Sequence, residues 1–214
     1  MSDLRVIAID GPAGAGKSTV ARALAARLGL EYLDTGAMYR AVTFAALRRG
    51  VLDDDAAVAA LARDVTLEVG EHGVLVDGVD ATVEIRSAEV TRQVSRVAAN
   101  SAVRTELVAR QREWAKVRGG GVIEGRDIAS VVFPDAELKL YLTASPRVRA
   151  ERRVAEAGGD VDEVEAQIAA RDSYDSSRAD SPLVQADGSR VVDTTGMSID
   201  EVLGAIEGLL QEQE

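Results

Sequence analysis

The stretch Gly11-Pro12-Ala13-Gly14-Ala15-Gly16-Lys17-Ser18 constrains this chain more than any other eight residues. It satisfies G-x-x-x-x-G-K-[ST] at every fixed position, a pattern whose glycines let backbone N–H groups converge on anionic oxygens that side chains would block. Its flanks agree with it. Leu4 to Ile9 is apolar except for Arg5 and reads as a buried parallel strand. Lys17 to about Leu28 reads as a helix ended by Gly29, so its positive N-terminal end faces whatever the loop holds. A glycine-rich turn without a ligand would not need both flanks. Gly11 to Ser18, with Thr19 beside them, are therefore the candidate cradle for the phosphates of ATP. Lys17 is expected to bridge the β- and γ-phosphates and Ser18 to ligate Mg2+.

The rest of the chain continues the alternation of strand and helix. Glu31-Tyr32-Leu33 suggests a short strand, and Asp34 and Thr35 are good cap types for a helix to Arg49, with Gly50 past its end. From Val65 to Val83 the pattern changes to short alternating runs. Gly70-Glu71-His72-Gly73 and Asp77-Gly78 act as turns, which predicts an antiparallel insert of two or three strands. A long helix is expected over about 103–117, strands over 122–124 and 138–142, and a helix from Pro146 to about Ala157. A polar helix over about 161–178, a short strand at 190–192 and a last helix capped by Ser198, with Glu201 as capping-box partner, complete the series.

Alternating strands and helices imply right-handed crossovers and ligands at the carboxyl ends of the strands. The fold class is α/β: a three-layer P-loop kinase fold with a central, mostly parallel five-stranded sheet, a small antiparallel insert and an arginine-rich helical lid. One domain is expected, with its core at about 1–60, 100–144 and 183–214, the insert at about 61–99 and the lid at about 145–182.

Composition narrows the function. The 214 residues carry a net charge of −11, which argues against a duplex DNA binder, since such proteins neutralise phosphates. No cysteine is present, so there is neither a disulfide framework nor a thiolate metal site. The first residues lack the pattern of a secretory leader, and no apolar run reaches membrane-spanning length, so a cytoplasmic, membrane-free monomer is expected. Of the 25 cations only Lys17, Lys116 and Lys139 are lysine; the rest are arginine, whose planar fork grips phosphate in pairs of hydrogen bonds.

The loop names the phosphoryl donor but not the reaction. The lone asparagine, Asn100, is followed by Ser, so the N-K-x-D element of a guanine reader is absent. Asp10 ends the first strand and Asp127 follows another, yet neither sits in the hydrophobic-strand-plus-Asp pattern of a motor ATPase. A small-molecule kinase fits best. Its rivals are kinases of AMP, UMP, shikimate or gluconate, and a nucleotide-dependent binding module without turnover.

Several blocks, in order along the chain, resemble the bacterial cytidylate kinases: 34–40 (Asp-Thr-Gly-Ala-Met-Tyr-Arg), Ile85-Arg86, 97–99 leading to Val103-Arg104, and 124–128 (Glu-Gly-Arg-Asp-Ile). They continue with 132–136 (Val-Phe-Pro-Asp-Ala), 143–146 (Thr-Ala-Ser-Pro) with Arg149, Arg152 and Arg153, and Arg171-Asp172 through to Ser181-Pro182-Leu183. The chain departs from the family pattern at Ala13 and Thr35, where Ser is frequent, and at Ser101, where Pro is usual. The resemblance runs from Ile7 to about Val202 and implies transfer of the γ-phosphate of ATP to CMP or dCMP.

The resemblance implies that Arg40 and Arg126 grip the acceptor phosphate, with Thr35 adding a hydroxyl. It implies that Asp127, Arg104 and Ser95 read the base. The chemistry agrees, because cytosine presents an amino donor beside two acceptors, and uracil would set an oxygen against the carboxylate. It further implies that Arg171 and Arg178 reach the phosphates, that Asp175 places the sugar, and that Arg152 and Arg153 lie on the ATP side. The catalytic set is then Lys17, Arg126, Arg171 and Arg178. Plainer readings exist: a solvated helix charge for Arg40, a backbone-satisfied hydroxyl for Ser95, and intrahelical ion pairs for Arg171–Asp175 and Asp175–Arg178. Arg149, Arg152 and Arg153 share one helix face, and three like charges repel until an anion arrives. Gly158-Gly159 suggests a flexible joint for the lid. His72 is expected in a solvated turn, and Trp114 in packing.

Overall fold

The computed structural model describes residues 4–70 and 73–212. In chain order the first half comprises β1 (Arg5–Asp10), α1 (Lys17–Leu28), β2 (Tyr32–Asp34), α2 (Thr35–Arg49), α3 (Asp55–Asp64), β3 (Leu67–Gly70), β4 (Gly73–Val76), β5 (Val79–Asp80) and α4 (Ala88–Ala99). The second half comprises α5 (Ser101–Arg118), β6 (Gly120–Glu124), β7 (Leu138–Thr143), α6 (Pro146–Ala157), α7 (Val161–Ser176), β8 (Arg190–Asp193) and α8 (Ile199–Gln211).

Five strands form one sheet in the order β2-β6-β1-β7-β8, and every pairing in it is parallel. The expected apolar run is explained by burial on both faces. Val6 and Ala8 of β1 belong to a core shared with α2, α3, α4 and α5, while Ile7 and Ile9 belong to a second core with α1 and α8. The registers Ile9↔Glu124 and Asp34↔Glu124 bring the carboxyl ends of β1, β6 and β2 level. Three acidic residues, Asp10, Asp34 and Glu124, therefore stand along the carboxyl edge of the sheet.

The insert is a three-stranded antiparallel sheet, β3-β4-β5. Glu71 and His72, expected at its turn, lie outside the described residues. Trp114 packs as expected: a Cβ on Gly121 would come within 2.7 Å of its ring. The Ser198–Glu201 capping box is present, and Pro146 opens α6 behind a Ser145 cap. The polar helix ends at Ser176 rather than Arg178.

Two helices were not anticipated. α3 starts where the Asp54 carboxylate accepts from the N–H groups of Ala56 and Ala57, and it buries Val58, Leu61 and Ala62. α4 starts at Ser87, whose hydroxyl accepts from Val90 N–H, and it buries Val90, Val94 and Val97. Both carry a cap residue followed by apolar spacing of three and four. Among the described residues no helix is long and apolar enough to cross a membrane.

Candidate active site

The glycine loop lies where the sequence places it, between β1 and α1. Gly11 has φ 147, and a Cβ there would sit 2.0 Å from the carbonyl oxygen of Leu142. Only glycine lets the chain pass that close to β7. Gly16 caps α1 in the left-handed region without any side-chain acceptor, so the first-turn N–H groups are not satisfied by a cap. Lys17 is buried and its Nζ donates to Pro12 O at 2.8 Å. Burial lowers its pKa to about 7, and the cations of Arg126 and Arg171 push the same way against Glu124 and Asp10. An ammonium held among guanidinium groups is a site waiting for an anion. Ser18 is half-buried behind it, and Thr19 faces solvent.

The residues expected to take the acceptor begin on α2. Thr35 is buried and its hydroxyl donates to the carbonyl oxygen of Glu124 at 2.6 Å. Arg40, one turn on, is no solvated surface charge. Its Nη1 donates to Ile85 O at 3.0 Å and to the Thr91 hydroxyl at 2.9 Å. Burial lowers its pKa to about 10, with Arg171 and Arg86 adding to the effect. Arg153 adds a weaker push in the same direction, so Arg40 stands in a positive field.

The expected base readers Arg104 and Asp127 are brought together from α5 and the loop after β6. They form a buried ion pair through Arg104 Nη2 and Asp127 Oδ2, while Arg104 Nη1 donates to Ala98 O at 3.1 Å. Ser95 is half-buried on α4, three residues before Ala98. Tyr39 lies under the Arg104 guanidinium, 5.5 Å from its ring centroid. The Tyr39 hydroxyl, both amide atoms of Gln111 and Arg104 Nε are buried without hydrogen-bond partners in the structure. Unspent donors and acceptors at such depth are costly unless a ligand uses them.

Asp175 gathers the lid. Its buried carboxylate pairs with Arg126 Nε at 3.1 Å, Arg171 Nε at 3.9 Å and Arg178. The expected pairs Arg171–Asp175 and Asp175–Arg178 are thus present, joined by a third arginine from the core. One carboxylate faces three guanidinium groups. Burial, then Arg126, lowers the pKa of Arg171 to about 10, and burial first lowers that of Arg178 as well.

The reading of Arg149, Arg152 and Arg153 as one repelling face is corrected. They do share one face of α6, but each long side chain already reaches a different partner. Arg149 turns into the phosphate loop and pairs with Asp172. Arg152 donates to Thr194 Oγ1 and O at 2.9 and 2.8 Å and lies 3.7 Å from where a Gly16 Cβ would be, so it flanks the phosphate loop. Arg153, expected beside it, pairs with Glu156 at 3.3 Å and acts on Arg40 instead.

Comparison with known proteins decides the family. The family model described as "Cytidylate kinase" matches residues 7–212. A cytidylate kinase of Desulforamulus reducens is 52% identical over 215 residues, covering 96% of each chain. The chain belongs to the cytidylate kinase family. A bifunctional pantoate ligase/cytidylate kinase of Synechococcus sp. is 51% identical over 95% of this chain, which spans 45% of that protein's length. A gluconokinase from Sinorhizobium meliloti 1021 shares the fold, with TM-score 0.52 at 14% identity over 99% of this chain and 97% of its own.

Within this cytidylate kinase family frame, two carboxylates emerge that the sequence did not single out for the site. Asp10 was seen only as the end of a strand. Its two oxygens accept from the N–H groups of Ile128 and Ala129 at 2.9 and 2.8 Å, fixing the loop that carries Arg126 and Asp127 to the strand that carries the phosphate loop. Burial raises its pKa to about 6. Glu124 is buried, accepts a hydrogen bond from the Tyr32 hydroxyl, and is raised by burial and by Asp34 while Lys17 and the Ser18 hydroxyl pull it back. A hydroxyl beside a carboxylate at the mouth of the phosphate loop is a hard-oxygen donor set, which suits Mg2+. No position in the sequence announces these contacts, since each spans about a hundred residues of chain.

Proposed function

We propose that the protein transfers the γ-phosphate of ATP to CMP or dCMP, giving ADP and CDP or dCDP. The observation that carries this reading is the pairing of two unlike halves. An amide-lined loop with a buried ammonium lies on one side. Arg40, Arg126, Arg171 and Arg178 ring the other, ending at the buried Arg104–Asp127 pair.

ATP phosphates would lie on the amides of residues 11–19, with Lys17 on the β- and γ-oxygens and Arg152 at the edge. Ser18, with Glu124 behind it, would hold Mg2+, which when bound would offset charge on the transferring phosphates. The acceptor phosphate, a dianion, would join Arg40 and Arg126, with Arg153 closing from the lid. Thr35 would have to turn its hydroxyl proton from Glu124 to reach it. Asp127 would accept from the cytosine amino group, and Arg104 and Ser95 would donate to N3 and O2. Asp175 would meet the sugar. Arg171 and Arg178 would stabilise charge on the moving phosphoryl group. Transfer is direct and in line. No side chain need carry the phosphate, because positioning and electrostatics supply most of the rate. The lid of residues 145–182 would exclude water as it closes on Gly158-Gly159, where added side chains would meet open space or only Val164. The core and insert would act as the partition given above, in a cytoplasmic monomer.

The test is ADP release with ATP and Mg2+ across CMP, dCMP, UMP, AMP and shikimate. CMP and dCMP should stand well above the rest. No acceptor-dependent release from either would overturn the reading.

A further inference from the structure

Asp172 and Asp175 lie three residues apart on the last turns of α7 and serve opposite sides of the cleft. Asp175 collects the acceptor-side arginines. Asp172 turns to the phosphate loop, where its Oδ1 accepts from Ala13 N–H at 3.3 Å and its Oδ2 pairs with Arg149 Nη1. The same Arg149 nitrogen donates to Ala13 O at 3.0 Å, and its Nε donates to Ala144 O at 3.1 Å at the end of β7. Both main-chain polar groups of Ala13 are thus held by one ion pair between α6 and α7. The loop is pressed against this pair: a Cβ on Gly14 would lie 2.9 Å from the Arg149 carbonyl oxygen. Arg149 is buried and Asp172 nearly so, with side-chain exposures of 9% and 18%. A charge-assisted contact in such surroundings holds geometry more firmly than a solvated pair.

We propose that Asp172, acting with Arg149, is a positioning residue for the donor. It clasps Ala13 so that the amides after it converge on phosphate. Because Asp172 and Asp175 share one stretch of helix, it also fixes the distance between donor amides and acceptor arginines. The inference rests on the kinase reading for the identity of the two ligands, but its geometry is independent of which acceptor is used. A pair that merely docked the lid would support both nucleotides equally.

The two possibilities separate in calorimetry of a non-hydrolysable ATP analogue with Mg2+, set beside CMP binding and thermal midpoints. Asp172→Ala removes both contacts and should weaken the analogue about tenfold, with CMP affinity within about twofold of the parent. Asp172→Asn keeps an oxygen for Ala13 N–H but loses the charge facing Arg149, and should fall between, near threefold. Arg149→Lys keeps charge without the fork and should also weaken the analogue selectively, which covers the case of an unstable alanine variant. Unchanged analogue affinity in the folded variants, or equal losses for the analogue and CMP, would overturn the clasp. A parent protein that binds the analogue but never turns over CMP would instead sink the kinase reading and leave the clasp measurable.

Discussion

The two halves of the cleft are built from different material. The donor half is main chain: glycines, a helix start and one lysine, all within residues 11–18 and rigid between β1 and α1. The half proposed for the acceptor is side chain: Arg40 of α2 held by a carbonyl and a hydroxyl, and arginines from α5, the loop after β6 and α7 held by single carboxylates. A cradle of amides costs little to keep ready, because its dipoles are fixed by the fold. A ring of guanidinium groups is costly to bury and repels itself: burial first, and neighbouring arginines second, lower the pKa of Arg40 and Arg171. The donor side is therefore preorganised by geometry and the acceptor side by charge.

That contrast can be broken at its strongest point first. Lys17→Ala should cut kcat by roughly a thousandfold or more while the fold persists, since it deletes the buried ammonium of a largely backbone site. Turnover within tenfold of the parent would end the distinction. Asp175→Asn should lower kcat/KM for CMP by about a hundredfold and reduce stability by about 3 kcal/mol, because three partly buried guanidinium groups lose their buried counter-charge. Binding of an ATP analogue should move far less; a matching loss there would show the halves to be one unit. Asp127→Ala should cost CMP about tenfold more than UMP in kcat/KM. Equal losses would remove Asp127 from base reading.

The smallest effect sharpens the seam between the halves. Asp10 joins them, and its folded pKa of about 6 lies above the ordinary 3.8. A raised carboxyl binds its proton more tightly in the folded state, so its ionisation costs stability as pH rises from about 4 through 6. Measured against Asp10→Asn, the parent should lose roughly 1 kcal/mol between pH 5 and pH 7. A flat difference would show that Asp10 titrates normally.

Legibility followed the same divide. The phosphate loop, its strand and its helix could be read directly because the information is local. The succession of strands and helices along the chain and the closing capping box followed from equally local signals. α3 and α4 had such signals too, in Asp54 and Ser87 followed by apolar spacing, and were passed over amid turn-rich sequence. The acceptor arginines were reached only through resemblance. Nothing near Arg104 reveals that its partner is Asp127, and nothing near Asp10 reveals that it caps Ile128 and Ala129. The lid cluster was misread because shared helical spacing says which residues neighbour one another, not what each side chain finds across the gap. Arg149 found Ala13 and Asp172; Arg153 found Glu156.

The Asp175 knot sets three guanidinium groups against one carboxylate, two positive charges in excess. Such a knot behaves as a small anion exchanger, occupied by whatever multivalent counter-ion the solution offers. Sulfate or inorganic phosphate should compete there with the nucleotide, so the apparent affinity for the acceptor should fall as such ions are added.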